Sequence, residues 1–142
     1  MAGHPRFHLA VPVDDLAESR RFYGKDLGCA EGRSSETWVD FDLFGHQLVA
    51  HLVPNRPPPD PDAVGHVDGV AVPIPHFGVL LDAAEFQSLA GRATAAGIDF
   101  LIQPQLRYPG APGEQWTMFF CDPAGNALEF KAFTDDAMVF AR

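Results

Sequence analysis

RFHLAVPV (6–13) alternates: Phe7, Leu9 and Val11 fall on one side and His8 and Ala10 on the other. That period of two predicts a strand whose apolar face covers a helix and whose second face carries His8. DDLAESRRFYGKDLG (14–28) follows with Leu16, Phe22, Tyr23 and Leu27 at helical spacing. Asp14 serves as its expected N-cap and Gly28 as its stop. TWVDFDLF (37–44) alternates again, with Val39, Phe41 and Leu43 on one face. Phe44-Gly45-His46 turns the chain, and HQLVAHLV (46–53) completes a hairpin.

Residues 54–75 break this pattern and hold seven of the chain's thirteen prolines. A segment so rich in proline is expected to be extended and to act as a linker. Order then resumes. HFGVLLD (76–82) reads as a strand, AAEFQSLAGRATAAGI (83–98) as a helix, and DFLIQPQ (99–105) as a short strand. After the loop LRYPGAPGEQ, WTMFFCD (116–122) and NALEFKAF (126–133) form a hairpin around the turn DPAGN. The order is an internal repeat of a βαβββ module, which predicts an α+β fold with a helix over one face of each sheet. The expected organisation is a single domain. Module one spans 6–53, the linker 54–75, module two 76–133 and a C-terminal tail 134–142.

Composition narrows the function classes. The chain has 142 residues, 46% of them hydrophobic and 20% charged, as in an ordinary folded domain. A net charge of −9 argues against nucleic acid and anionic membranes as partners and is silent about a small neutral substrate. No apolar stretch is long enough to span a bilayer, and the first residues lack the apolar core of a signal peptide, so a cytoplasmic location is the expectation. Cys29 and Cys121 lie far apart and in no CxxC pattern, which reads as reduced structural thiols.

Four polar residues interrupt apolar strands: His8 and His76 in the first strands of the two modules, His51 and Glu129 in the last. Alternation puts each on the sheet face turned away from the helix, and the repeat pairs His8 with His76 and His51 with Glu129. If the two faces curl together they line one cup. Two imidazoles and a carboxylate with open positions form the facial triad that suits ferrous iron, although nitrogen and oxygen donors also suit Zn, Mn, Ni or Co. Each residue has a plainer reading as well: a lone strand histidine is commonly a satisfied or half-exposed side chain, and Glu129 could face solvent. Lys131 shares the face of Glu129. Asp40 and Asp42 fit a cup face and a wet sheet edge equally well. Arg107 and Tyr108 in the loop RYPGAPGEQW are candidates to recognise an anionic or aromatic substrate, and Trp116 to stack on it. The same loop also reads as plain surface.

FHLAVPVDDLAESRRFYGKDLGC, HFGVLLDAAEF and FFCDPAGNALEFKAF together resemble the vicinal oxygen chelate superfamily over roughly residues 6–133. That superfamily includes glyoxalase I, extradiol ring-cleaving dioxygenases, fosfomycin-resistance enzymes and bleomycin-binding proteins. The resemblance implies paired βαβββ modules forming a metal-binding cup and, often, a homodimer, for which Met138, Val139 and Phe140 in the tail offer an apolar patch. Within it the chain is most similar to small proteins regarded as extradiol-type dioxygenases. The ligands implied are His8, His76 and Glu129, the favoured metal is Fe(II), with Zn, Ni or Mn as alternatives, and the substrate is a small molecule with two adjacent oxygens, such as a catechol.

The resemblance has departures. Extradiol enzymes carry a tyrosine at the position of Phe119 to hold a substrate oxygen, and a second acid–base histidine where this chain has Pro61, the nearest histidine being His66. Glyoxalase I has a glutamate at the position of His51, acting as ligand and base; here His51 becomes the candidate fourth ligand or general base. Fosfomycin-resistance enzymes carry a threonine at the position of Ala10. A metal-dependent oxygenase, a lyase or isomerase with Zn or Ni, and a non-catalytic binding or resistance protein are thus the three expectations. The presence of the ligand triad disfavours the third.

Overall fold

The computed structural model describes residues 3–142. The chain divides into two compact units, one ending at Pro57 and the other beginning at Pro58.

In the first unit β1 (His8–Val13) leads into α1 (Leu16–Ser19), which continues as a π-helix over Arg20–Asp26. Three strands follow: β2 (Ala30–Ser34), β3 (Trp38–Leu43) and β4 (His46–Leu52). They form a four-stranded sheet in the order β1-β4-β3-β2, with β1 parallel to β4 and the rest antiparallel. Val11, Val13, Val39, Phe41, Leu43, Leu48 and Ala50 are buried on one face with Phe22, Tyr23 and Leu27 of the helical segment, Tyr23 lying 5.4 Å from Phe41 between ring centroids. The opposite face carries His8, Asp40, Asp42, Gln47 and His51.

The helix differs from expectation at both ends. Asp15, not Asp14, is the N-cap, its Oδ1 accepting from the Glu18 N–H at 3.1 Å. Asp14 instead pairs with Arg56 at 2.7 Å. The second half widens, with the Leu27 N–H reaching back to the Phe22 carbonyl. Phe7, expected on the covered face, is 65% exposed because the β1–β4 ladder begins only at His8. β2 carries no apolar alternation and is exposed throughout, so the hydrophobic pattern gave no sign of it.

The second unit repeats the plan. β7 (His76–Phe77), α2 (Ala83–Ala95), β8 (Phe100–Arg107), β9 (Gln115–Cys121) and β10 (Ala127–Phe133) give a sheet in the order β7-β10-β9-β8. β7 runs parallel to β10. Phe86, Leu89, Ala90 and Ala93 of α2 are buried, as are Met118, Phe120, Leu128, Phe130 and Ala132 on the helix-facing side of the sheet. Asp82 caps α2, accepting from the Glu85 N–H at 2.8 Å. Beyond β10 the tail forms a 3-10 turn at Asp136–Met138 and leaves Phe140 93% exposed.

The proline-rich segment is not a plain linker. It contains a two-stranded hairpin, β5 (Val64–Val67) and β6 (Val70–Pro73). Its turn is Asp68-Gly69, both residues at positive φ (49° and 81°), the conformation a tight hairpin demands and an Asp-Gly pair provides. Val72 is buried with Ile102, Phe119 and Ala127, with Val67 and Cys121 packed against them. The hairpin therefore covers the side of the second sheet that faces away from α2. Asp68 clamps its turn to β8, accepting from Gln105 Nε2 at 2.8 Å and pairing with Arg107 at 3.1 Å.

Candidate metal site

Register decides which residues the two modules place at matching points. His8 lies opposite Gln47 on β4, and His76 opposite Ala127 on β10. The residue two beyond the first partner is Val49 in unit one and Glu129 in unit two. His51, opposite Pro12, therefore corresponds to Lys131, which bridges to Leu80, and not to Glu129 as the repeat in the sequence suggested. The expected pairing of His51 with Glu129 is off by one full period of the strand.

Gly78 stands opposite Glu129, and any Cβ there would collide with the Glu129 carbonyl. That close approach interrupts the expected strand 76–82 after Phe77; contact resumes at Lys131, whose N–H donates to the Val79 carbonyl at 3.4 Å and whose carbonyl accepts from the Leu81 N–H at 2.7 Å. It also lets His76 and Glu129 meet. The Glu129 carboxylate is buried, its side chain only 7% exposed, and Thr117 Oγ1 donates to its Oε2 at 2.6 Å. Its other oxygen, Oε1, lies 3.4 Å from His76 Nε2 and 3.9 Å from Lys131 Nζ. The His76 ring rests edge-on against Phe119 with centroids 4.7 Å apart.

The His76 tautomer follows from its other nitrogen. Nδ1 lies 2.6 Å from the Pro73 carbonyl, which can only accept, so Nδ1 carries the proton and donates. In the neutral ring Nε2 is then a lone pair aimed at a carboxylate oxygen. Two such acceptors repel unless a proton or a cation stands between them. At 3.4 Å the gap is wider than the usual range for a charge-assisted hydrogen bond. It matches two donors bound about 2.1 Å from one ion, which stand about 3.0–3.4 Å apart at octahedral to tetrahedral angles. A carbonyl-held imidazole beside a hydrogen-bonded carboxylate is also the support pattern of metal-ligating side chains.

In the first unit His8 is exposed at the start of β1, its Nδ1 2.8 Å from Gln47 Oε1. A cavity of about 530 Å³ opens here, lined among others by His8, Asp40, Asp42 and Gln47. His51 is exposed on the same face, four residues and so about 13 Å along β4 from Gln47. Among the described residues no group of three or more His, Cys, Asp or Glu side chains is gathered as a metal site. The pair His76 and Glu129 is what the second unit assembles.

The substrate candidates separate. Arg107 is held by Asp68 at 3.1 Å and donates to the Tyr108 hydroxyl at 2.8 Å, so its charge is already engaged. Tyr108 is half exposed, at positive φ. Trp116 shares the helix face of β9, half-buried, with its ring centroid 6.2 Å from that of Phe86 on α2. Phe119 is fully buried beneath His76, where it supports the ring and cannot touch a ligand directly. Cys121 follows on that face as a free thiol; burial, with Asp122 adding to it, pushes its pKa above the ordinary value. Pro73, Thr117 and the part played by Gln47 gave no sign in the sequence, whereas Asp40 fitted a cup face or a wet sheet edge there. The Asp-Gly turn and a lone threonine inside WTMFFC were the available signals.

The sequence model of the Glyoxalase/Bleomycin resistance protein/Dioxygenase superfamily matches residues 7–130. The chain belongs to this superfamily. A glyoxalase/bleomycin resistance protein/dioxygenase from Alicyclobacillus acidocaldarius is 34% identical, with 96% of each chain covered and a TM-score of 0.78. A glyoxalase/dioxygenase from Nostoc punctiforme (21% identity, 92% of each chain, TM-score 0.66) shares the fold. So does the fosfomycin resistance protein FosX from Listeria monocytogenes (18% identity, 94% of this chain and 95% of that one, TM-score 0.60). The comparison with curated proteins returned no match. Members of the superfamily typically bind a divalent metal, and the donor set at His76 and Glu129 fits one. No helix among the described residues is long and apolar enough to cross a membrane.

Proposed function

We propose that this protein is a divalent-metal-dependent enzyme, an Fe(II) extradiol-type dioxygenase acting on a small catechol-like or other vicinal-oxygen substrate, with His8, His76 and Glu129 as ligands. The observation that carries the reading is the 3.4 Å approach of His76 Nε2 to Glu129 Oε1, with Nδ1 already committed to the Pro73 carbonyl. When bound, the metal supplies a Lewis acid for two adjacent substrate oxygens and, as iron(II), the means for O2 to react with the ring. The chain's residues do the rest. Pro73 fixes the imidazole, Thr117 holds the far carboxylate oxygen, and Lys131 offsets the carboxylate charge. His51 is the candidate to accept the substrate's hydroxyl proton at its imidazole nitrogen. The same reading takes a second copy of the chain as partner in a homodimer, and neither nucleic acid nor membrane.

A second reading, a glyoxalase I-like lyase or isomerase with Zn or Ni, is favoured by Phe119, which brings no hydroxyl to the cross-strand position beside Glu129. The test is O2 uptake by anaerobically purified protein loaded with Fe(II) and given a catechol. Uptake with a ring-opened product, lost in Glu129→Gln, is the expected result. Turnover of the methylglyoxal–glutathione adduct with Zn or Ni and no O2 uptake would replace it with the second reading. Ligand binding that ignores both metal and Glu129→Gln would overturn both.

A further inference from the structure

His8 is exposed, and an exposed imidazole ordinarily samples both neutral tautomers. Its surroundings in the first unit remove that freedom. Asp40 is buried on β3, 8% exposed, and its Oδ2 lies 3.2 Å from Gln47 Nε2. The amide of Gln47 has two ends, one donating and one accepting. If it were turned round, its carbonyl would face the carboxylate and two acceptors would meet at that distance. Asp40 therefore requires the NH2 end, and the carbonyl end must point to His8, 2.8 Å from Nδ1. A carbonyl only accepts, so Nδ1 must hold the proton. The orientation passes from carboxylate to amide to imidazole, and Nε2 is left as a bare lone pair.

We propose that Asp40 and Gln47 are positioning residues that lock His8 in the Nδ1–H tautomer and present Nε2 as a ligand nitrogen. The inference deepens the proposed function and rests on it for the word ligand; the tautomer lock stands on the hydrogen bonds alone. His76 reaches the same state by another route, a backbone carbonyl in place of a side-chain relay. Gln47 lies one strand over from His8 in the β1–β4 register, which is why the two meet although 39 residues separate them.

The test is a long-range 1H–15N spectrum of the full chain with 15N-labelled histidine at pH about 8.5, where an imidazole is neutral. The His8 signals are assigned by their loss in His8→Gln. Wild type should show His8 and His76 both as Nδ1–H. Gln47→Leu should return His8 to a tautomer mixture and leave His76 unmoved. Gln47→Glu combined with Asp40→Asn keeps an acceptor for Nδ1 and gives its second oxygen an amide donor, so the pair should restore the Nδ1–H signature. Asp40→Asn should blur the preference, and the surface variant Gln47→Leu keeps the test decisive if the buried Asp40 variant fails to fold. A wild-type His8 in the Nε2–H form, or a His8 signature unchanged in Gln47→Leu, would overturn the proposal. Calorimetric Mn2+ titration separates the two levels. Weakening by about 10-fold or more in Gln47→Leu supports the ligand role, and wild-type affinity in that variant overturns it. A wild type that binds no Mn2+ at all, with the tautomer lock intact, sinks the proposed function and with it the ligand role, and leaves the lock standing.

Discussion

The two modules share strand order and register and yet prepare their histidines in opposite ways. In the first, His8 is exposed and reaches its tautomer through two side chains, Gln47 and Asp40. In the second, His76 is half-buried, held by a backbone carbonyl, backed by Phe119 and faced by a buried carboxylate. The position that holds Glu129 in one sheet holds Val49 in the other. Repetition of the βαβββ plan thus supplies two scaffolds, and one register position that holds a valine in the first holds a buried glutamate in the second. The lesson is that equivalent register positions of a repeated fold can carry side chains of opposite polarity.

The comparison can be broken at several points. Glu129→Gln removes the one carboxylate of the pair at nearly constant volume, so divalent metal affinity should fall by about 100-fold or more while the circular dichroism spectrum stays unchanged. Phe119→Ala should cost about 3–5 kcal/mol in denaturant unfolding, because it empties the core under the hairpin and the support of His76 together. Gly78→Ala forces a methyl group against the Glu129 carbonyl and should cost about 1–3 kcal/mol, with metal affinity reduced as β10 shifts. Thr117→Val removes the hydroxyl that donates to Glu129 Oε2 and should lower stability by about 1–2 kcal/mol. The smallest effect concerns Cys121. Its thiol pKa is raised by burial, so the thiolate fraction at pH 8 is below that of an ordinary cysteine. Alkylation by iodoacetamide should therefore run slower than for a free thiol and rise with pH beyond the usual range. Fast alkylation at pH 8 would contradict the burial of that face under the hairpin.

Much of the fold was legible because burial imposes period. Leu9, Val11 and Val13 alternate since one side of β1 meets a helix, and the same logic exposed both modules and all but one of the strands of the two four-stranded sheets. β2 escaped because a strand with no buried face has no apolar rhythm to read. The hairpin at 64–73 escaped because proline density masked an Asp-Gly turn between two valine-rich arms. In the site, Glu129 and His76 stood out as polar residues in apolar strands. The pairing of His51 with Glu129 failed because a shift of two residues leaves a side chain on the same face, so alternation cannot detect it. Trp116 shares the parity of Met118 and Phe120, which assigns it to the helix side of β9 and away from the face of Glu129. Tautomer control lay beyond reach of the sequence, since Gln47 and Pro73 act only through hydrogen bonds that the register creates.

The central claim is that His76 and Glu129 share one divalent ion. Direct titration of the anaerobic apoprotein with Fe(II), followed by calorimetry and metal analysis after gel filtration, tests it in wild type, His76→Ala and Glu129→Gln. Stoichiometric binding in wild type, with loss in both variants while each keeps its folded circular dichroism spectrum, is the predicted result. Equal retention of iron by all three proteins would contradict the account.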